Sequence, residues 1–197
     1  KTNKSKGEIP KILSDALGVS FDNNIGHDYI NDYERRFEFY HQKEERIPFD
    51  LDYFNKITKG GLPNKTLNIA LAGTGVGKSL FMCHVAASCI SQGHDVLYIT
   101  LEMAEEKIAE RIDANLLNIS INDLHVIPKE DYSRRFSALQ SKTQGKLIIK
   151  EYPTASASAL HFRSLLNELQ LKKNFRPKII FIDYLNICCS SRLKMGS

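Results

Sequence analysis

From residue 47 onward, short apolar runs alternate with longer stretches whose apolar residues recur every three to four positions. Residues 67–72 (LNIALA) have strand character, and the KSLFMCHVAASCIS run that opens at Lys78 is helix-compatible and apolar on most faces, with Gly93 as its stop. DVLYIT, from Asp95 to Thr100, is rich in β-formers. In LEMAEEKIAERI, Ala104, Ile108, Ile112 and then Leu116 follow at four-residue steps, predicting a helix. A polar helical stretch (KEDYSRRFSALQSK), a strand over 146–150 and a helix with Phe162, Leu165, Leu166 and Leu169 on one face come next. The last run, PKIIFIDYLNICC, is apolar up to Asp183. Strands alternating with helices of crossover length predict an α/β fold, a mainly parallel sheet with helices on both faces. In such sheets ligands bind at the carboxyl ends of the strands.

The pattern ahead of residue 47 is different. IPKILSDALG puts Ile9, Ile12, Leu13, Ala16 and Leu17 on one stripe, with Pro10 suited to a first turn and Gly18 to a stop. A helix this short is marginal alone in water, so its stripe needs a groove, either on its own domain or on a neighbour. About thirty polar and aromatic residues follow, then the lead-in FDLDYFNKITKGGLPNKT, with a turn at Gly60, Gly61 and residues 62–65. The expected organisation is a linker region over 1–46 and a core over 47–197, without internal repeats or low-complexity segments.

Composition adds bounds. At 197 residues, 42% hydrophobic and 25% charged, the chain has room for one good core plus an arm. No apolar run approaches a bilayer span and KTNKSKGEIP lacks the apolar region of a signal peptide, so the expected compartment is cytoplasmic. Cys83, Cys89, Cys188 and Cys189 form no C-x-x-C pair and read as reduced structural thiols. A net charge of +4 and a pI near 8.8 are compatible with a polyanionic partner and equally with a solvated basic surface.

The candidate chemistry is concentrated in LNIALAGTGVGKSLF. Glycines between a strand and a helix let successive amides point inward, and the helix adds the positive end of its dipole, a concavity suited to phosphate oxygens. This is the layout of a P-loop, formed by Ala72, Gly73, Thr74, Gly75, Val76, Gly77, Lys78, Ser79 and Leu80. Lys78 would reach the β/γ-phosphates and the Ser79 hydroxyl would bind Mg²⁺. Ala72 stands where the usual pattern has glycine, and a glycine-rich turn made only for packing is the plainer alternative. Asp183 closes an apolar strand, where an ionised carboxylate is hard to explain by packing, and fits a Walker B role at Mg²⁺; a helix cap or surface Asp is the alternative. Glu102 follows a different strand; if that strand and the one ending at Asp183 flank the P-loop strand suitably, its carboxylate can orient the attacking water, and ordinary negative charge at a helix N-terminus is the alternative.

AGTGVGKS, YITLEMAEEKIAERI and IIFIDYLNI together resemble the three consecutive ATPase motifs of the DnaB-like hexameric replicative DNA helicases, of RecA-like fold, and the wording is most similar to the family's members from T-even bacteriophages. The resemblance covers residues 47–189. It implies ATP (or another NTP) and Mg²⁺ as cofactors, hydrolysis at subunit interfaces of a ring, single-stranded DNA as track, and a primase and a helicase loader as partners, in the host cytoplasm. It also implies that the helix carrying Ile9, Ile12, Leu13, Ala16 and Leu17 packs on the adjacent subunit. The family's N-terminal domain, and the DNA-binding loop and arginine finger beyond the Walker B strand, are not in this sequence, so it resembles an internal fragment expected to bind nucleotide and hydrolyse it slowly. Arg134, Arg135, Lys172, Lys173 and Arg176 are candidates for phosphate contacts, though they fit a solvated helix face better. A RecA-type recombinase or other RecA-like ATPase is one rival, and a nucleotide-binding assembly module or loader is another.

Overall fold

The structure is a computed structural model that describes residues 26–190; the stripe of Ile9, Ile12, Leu13, Ala16 and Leu17 lies outside them. The chain divides after Glu44 into two units. In the first, the Asp28 carboxylate accepts the Ile30 and Asn31 amides, turning the chain toward helix α1 (Tyr33–His41). Glu34 in the first turn and His41 in the last suit the helix dipole, and no α1 residue is buried. No element was expected there, because mixed aromatic and charged residues give no clear period.

The second unit opens with an antiparallel pair, β1 (Arg46–Ile47) and β2 (Leu62–Pro63), around helix α2 (Asp52–Ile57). Asn55 ties this lead-in together: its side chain accepts from the Phe49 amide and donates to the Phe49 carbonyl, both at 2.7 Å. Gly61 is held at φ 119°, and a Cβ there would sit 2.1 Å from the Ile47 carbonyl oxygen. Gly61→Ala is therefore expected to destabilise the chain by about 1–3 kcal/mol or more, read as a fall in melting temperature of roughly 2–4 °C per kcal/mol.

Next come α3 (Lys78–Ser91), β3 (Val96–Thr100), α4 (Glu105–Leu117), the single turn α5 (Ile121–Leu124), α6 (Lys129–Lys142), β4 (Leu147–Glu151), α7 (Ala159–Lys173), β5 (Ile179–Asp183) and a 3₁₀ turn at Leu185–Ile187. The strands form one parallel sheet in the order β4-β3-β5. β3 is central and every residue of it is buried, which explains its lack of charged residues. On one face Val96 and Tyr98 pack with Met82, Cys83, Val85, Ala86 of α3 and Ile108, Ile112 of α4. On the other, Leu97 and Ile99 pack with Leu169 of α7 and with Phe175. The two-sided cover is the one expected, and each fully buried Val, Leu, Ile, Met or Phe side chain in it contributes about 1.5–3 kcal/mol.

Element ends follow local chemistry. Asn118 (φ 51°) and Asn174 (φ 48°) close α4 and α7 in the left-handed conformation that Asn tolerates. Gly145 faces the end of α3 at such close quarters that a Cβ would lie 2.4 Å from the His94 carbonyl and 2.8 Å from that of Ile90. The helix is thus clamped by backbone against backbone.

One expectation is corrected. Residues 67–72 form no regular element and join no sheet, and Leu67, Ile69 and Leu71 are 83%, 76% and 95% exposed. An apolar run becomes a strand only when a ladder partner is in place, and partner choice is not encoded locally. Among the described residues the outer edge of β5 is unpaired, and 67–72 does not lie on it. No helix among the described residues is long and apolar enough to cross a membrane.

Candidate functional site

The site is built where the start of α3 meets the end of β5. In the loop before α3, Gly75 (φ 76°) and Gly77 (φ 105°) need their backbone angle rather than space, since a Cβ at either would meet nothing. Ala72, Gly73, Thr74, Gly75 and Val76 are all exposed. The first helical hydrogen bond runs from the Phe81 amide to the Gly77 carbonyl at 2.9 Å, and Gly77 offers no side-chain cap. The amides of Lys78, Ser79 and Leu80 precede that bond and stand at the positive end of the helix, available to an anion.

Lys78 turns back from this helix start. Its Nζ lies 3.7 Å from Oδ1 of Asp183 and 4.0 Å from the centroid of the Tyr184 ring. Asp183 is only 2% exposed, and its two oxygens differ. Oδ2 accepts a 3.0 Å hydrogen bond from the Tyr98 hydroxyl, whereas Oδ1 is buried without a hydrogen-bond partner among the described residues. Leaving a buried carboxylate oxygen unpaired is expensive. That atom fits a cation, and a single carboxylate oxygen suits Mg²⁺, which takes one or two protein oxygens and keeps the rest of its shell for phosphate and water. Ser79, half-buried one residue beyond Lys78, makes no hydrogen bond to Asp183.

Beneath Asp183 lies a buried polar relay. The Tyr98 ring stacks on Phe181 at 5.7 Å and 16°, and the Cys83 thiol donates to the Tyr98 hydroxyl over 3.9 Å. Burial pushes the Cys83 and Cys89 thiols up to about 11. Burial, then the neighbouring Cys83 and Asp183, push the Tyr98 phenol well above its ordinary range, so it remains a donor at neutral pH.

Glu102 lies just past β3, whose last residue pairs in register with Asp183; the Leu101 amide extends the ladder to the Asp183 carbonyl at 2.9 Å. The turn after it is pinned by Thr100, whose Oγ1 accepts from the Met103 amide at 3.1 Å and donates to its carbonyl at 2.7 Å. Glu102 is thereby exposed at the carboxyl end of the strand next to β5. The first-turn charges of α4 are Glu105 and Glu106, and Glu102 stands three residues ahead of the helix.

Lys78 and Asp183 are thus in contact and Glu102 is on the adjacent strand end. Tyr98 and Tyr184 were not singled out from the sequence; a tyrosine inside an otherwise apolar strand is the available signal, because its buried hydroxyl must find a partner. The basic candidates behave as a solvated face: Arg134 pairs with Asp131 and Lys172 with Glu168 within one helical turn, Arg135 donates to the Leu117 carbonyl, and Lys173 and Arg176 are exposed.

Comparison with known proteins meets this geometry. The chain is 50% identical over 194 residues, 97% of its length, to the DnaB-like replicative helicase of Enterobacteria phage T4, and covers 41% of that protein. It is 31% identical over 127 residues, 62% of its length and 27% of the relative, to a probable plasmid replicative DNA helicase of Chlamydia trachomatis. A DNA repair protein RadA of Bacillus subtilis is 27% identical over 117 residues, 59% of the chain and 25% of the relative. The chain therefore spans less than half the length of these relatives. Two solved structures share the RecA-like α/β fold. A DnaB-like replicative helicase, described with its interactions with primase, superposes with a TM-score of 0.60 at 17% identity, covering 94% of this chain and 45% of that one. The second, a structure of an ATPase domain, gives 0.62 at 18% identity, covering 86% and 62%. Residues 47–195 match the DnaB-like helicase C terminal domain, and the chain belongs to that family.

Proposed function

We propose that the chain is the nucleotide-hydrolysing core of a ring-forming replicative DNA helicase. The observation that carries the proposal is the meeting of Lys78 with the orphaned, buried Oδ1 of Asp183 beneath a glycine loop that leads into a helix N-terminus. In this reading the amides from Gly73 to Leu80 cradle the phosphates of ATP or another NTP, Lys78 neutralises charge on the β/γ-phosphates, and Ser79 and Asp183 hold Mg²⁺. Held there, the metal would supply charge stabilisation at the transferring phosphoryl group. Glu102 orients the attacking water from the neighbouring strand end.

Hydrolysis at subunit interfaces of a ring, a hexamer in this family, would drive translocation on single-stranded DNA and so unwind duplex at a replication fork. Residues 1–46 would be the linker, with Ile9, Ile12, Leu13, Ala16 and Leu17 docked on a neighbouring subunit. A primase and a helicase loader are the partners proposed, and the host cytoplasm the compartment. The family match and the identity to a phage helicase weigh against the recombinase and the assembly module.

The test is NTP turnover by the complete gene product, with single-stranded DNA, with duplex DNA and with neither, at one fixed salt concentration, because phosphate-backbone binding is strongly salt-dependent. Turnover raised by single strands is the expected result. Turnover indifferent to DNA would remove the helicase reading and bring the assembly module forward.

A further inference from the structure

The proposed site assigns nothing to Tyr98, yet Tyr98 contacts the one carboxylate on which metal binding depends. Asp183 ends β5, and an aspartate in that position can turn about its Cβ–Cγ bond and exchange its two oxygens. Here a hydrogen bond sets its orientation. The Tyr98 hydroxyl donates to Oδ2 at 3.0 Å, which leaves Oδ1 as the oxygen 3.7 Å from Lys78 Nζ.

The donor itself is held on every side. Tyr98 has no exposed surface, lies in the middle of the central strand, and pairs in register with Phe181, on whose ring it stacks. Phe181 and Asp183 are two residues apart on β5 and therefore share a face, so a side chain as long as tyrosine reaches from position 98 to the carboxylate. The Cys83 thiol, from the α3 helix that also carries Lys78, donates to the same hydroxyl. With its acceptor side engaged by Cys83, the Tyr98 O–H has Asp183 as its acceptor.

We infer that Tyr98 is a positioning residue for Asp183: its hydroxyl fixes the carboxylate so that Oδ1 alone is presented to the metal of a bound Mg²⁺·nucleotide. The inference rests on the nucleotide-binding reading above. A phenylalanine would keep the strand, the burial and the ring stack and would remove the hydrogen bond to Asp183 together with the long one accepted from Cys83. Groups that orient a metal ligand in this way usually carry 10- to 100-fold in metal affinity.

The experiment is a Mg²⁺ titration of the binding of a fluorescent ATP analogue to the chain, to Tyr98→Phe and to Val96→Ala, each accompanied by a thermal melt. Val96 is a fully buried neighbour on β3 that touches neither Asp183 nor the loop by hydrogen bond, so its variant reports loss of packing alone. The expected result is that Tyr98→Phe needs roughly 10- to 100-fold more Mg²⁺ for half-maximal binding, with metal-free binding unchanged, while Val96→Ala lowers the melting temperature without moving the Mg²⁺ half-point. A Tyr98→Phe chain that shifts no more than Val96→Ala, or that has lost cooperative melting, overturns the positioning role in favour of a structural one. If the unmodified chain itself shows no Mg²⁺-dependent binding, the nucleotide reading fails and takes this inference with it, an outcome distinct from the first.

Discussion

Lys78→Ala is expected to lower NTP turnover by about 10²–10³-fold and to weaken nucleotide binding as well. Phosphoryl transfer asks little covalent chemistry of the protein, so its rate depends on positioning and on charges aimed at the phosphate oxygens. Removing one preorganised donor from such a site typically costs that factor. Lys78 is the cation at the helix start, and it also balances Asp183 across 3.7 Å. Its loss would leave a buried carboxylate oxygen with no cation near it until metal arrives. Loss of both binding and turnover, measured by nucleotide titration and steady-state phosphate release, is the expected signature. Unchanged turnover would remove Lys78 from the site.

Glu102→Gln should separate the two effects. Glu102 is exposed beside the end of β5 and touches neither Lys78 nor Asp183 by ion pair or hydrogen bond. Its substitution should therefore leave nucleotide binding and melting temperature close to those of the unmodified chain. A group that orients or deprotonates the attacking water is worth about 10²–10⁴-fold, so turnover should fall by that factor. An effect on stability with none on turnover would reassign Glu102 to local structure.

How far these residues were legible in advance depends on whether the signal is local. The helix from Lys78 was read from a long apolar run behind glycines, the strand ending at Thr100 from its β-forming residues, and the parallel α/β arrangement from the alternation of strands with crossover-length helices. Boundaries moved by a residue: β4 occupies Leu147–Glu151, and in α4 the buried side chain near the end is Leu117 rather than Leu116. The miss at 67–72 has a different origin, since pairing depends on a distant edge and the same six residues read identically with or without it. Lys78, Asp183 and Glu102 were singled out because charge beside glycine, or at the end of an apolar run, is conspicuous. Tyr98 was passed over because a tyrosine in a strand looks like packing until the atom beside its hydroxyl is known.

The burial of α3 has a mechanical meaning. Eight of its 14 residues are buried, and at its far end Gly145 presses backbone against the Ile90 and His94 carbonyls. Interiors packed to this degree yield little under load. Such a helix resists bending and slipping past its surroundings. A pull on the Lys78 end would reach the junction of Gly145 with Ile90 and His94, about 20 Å away.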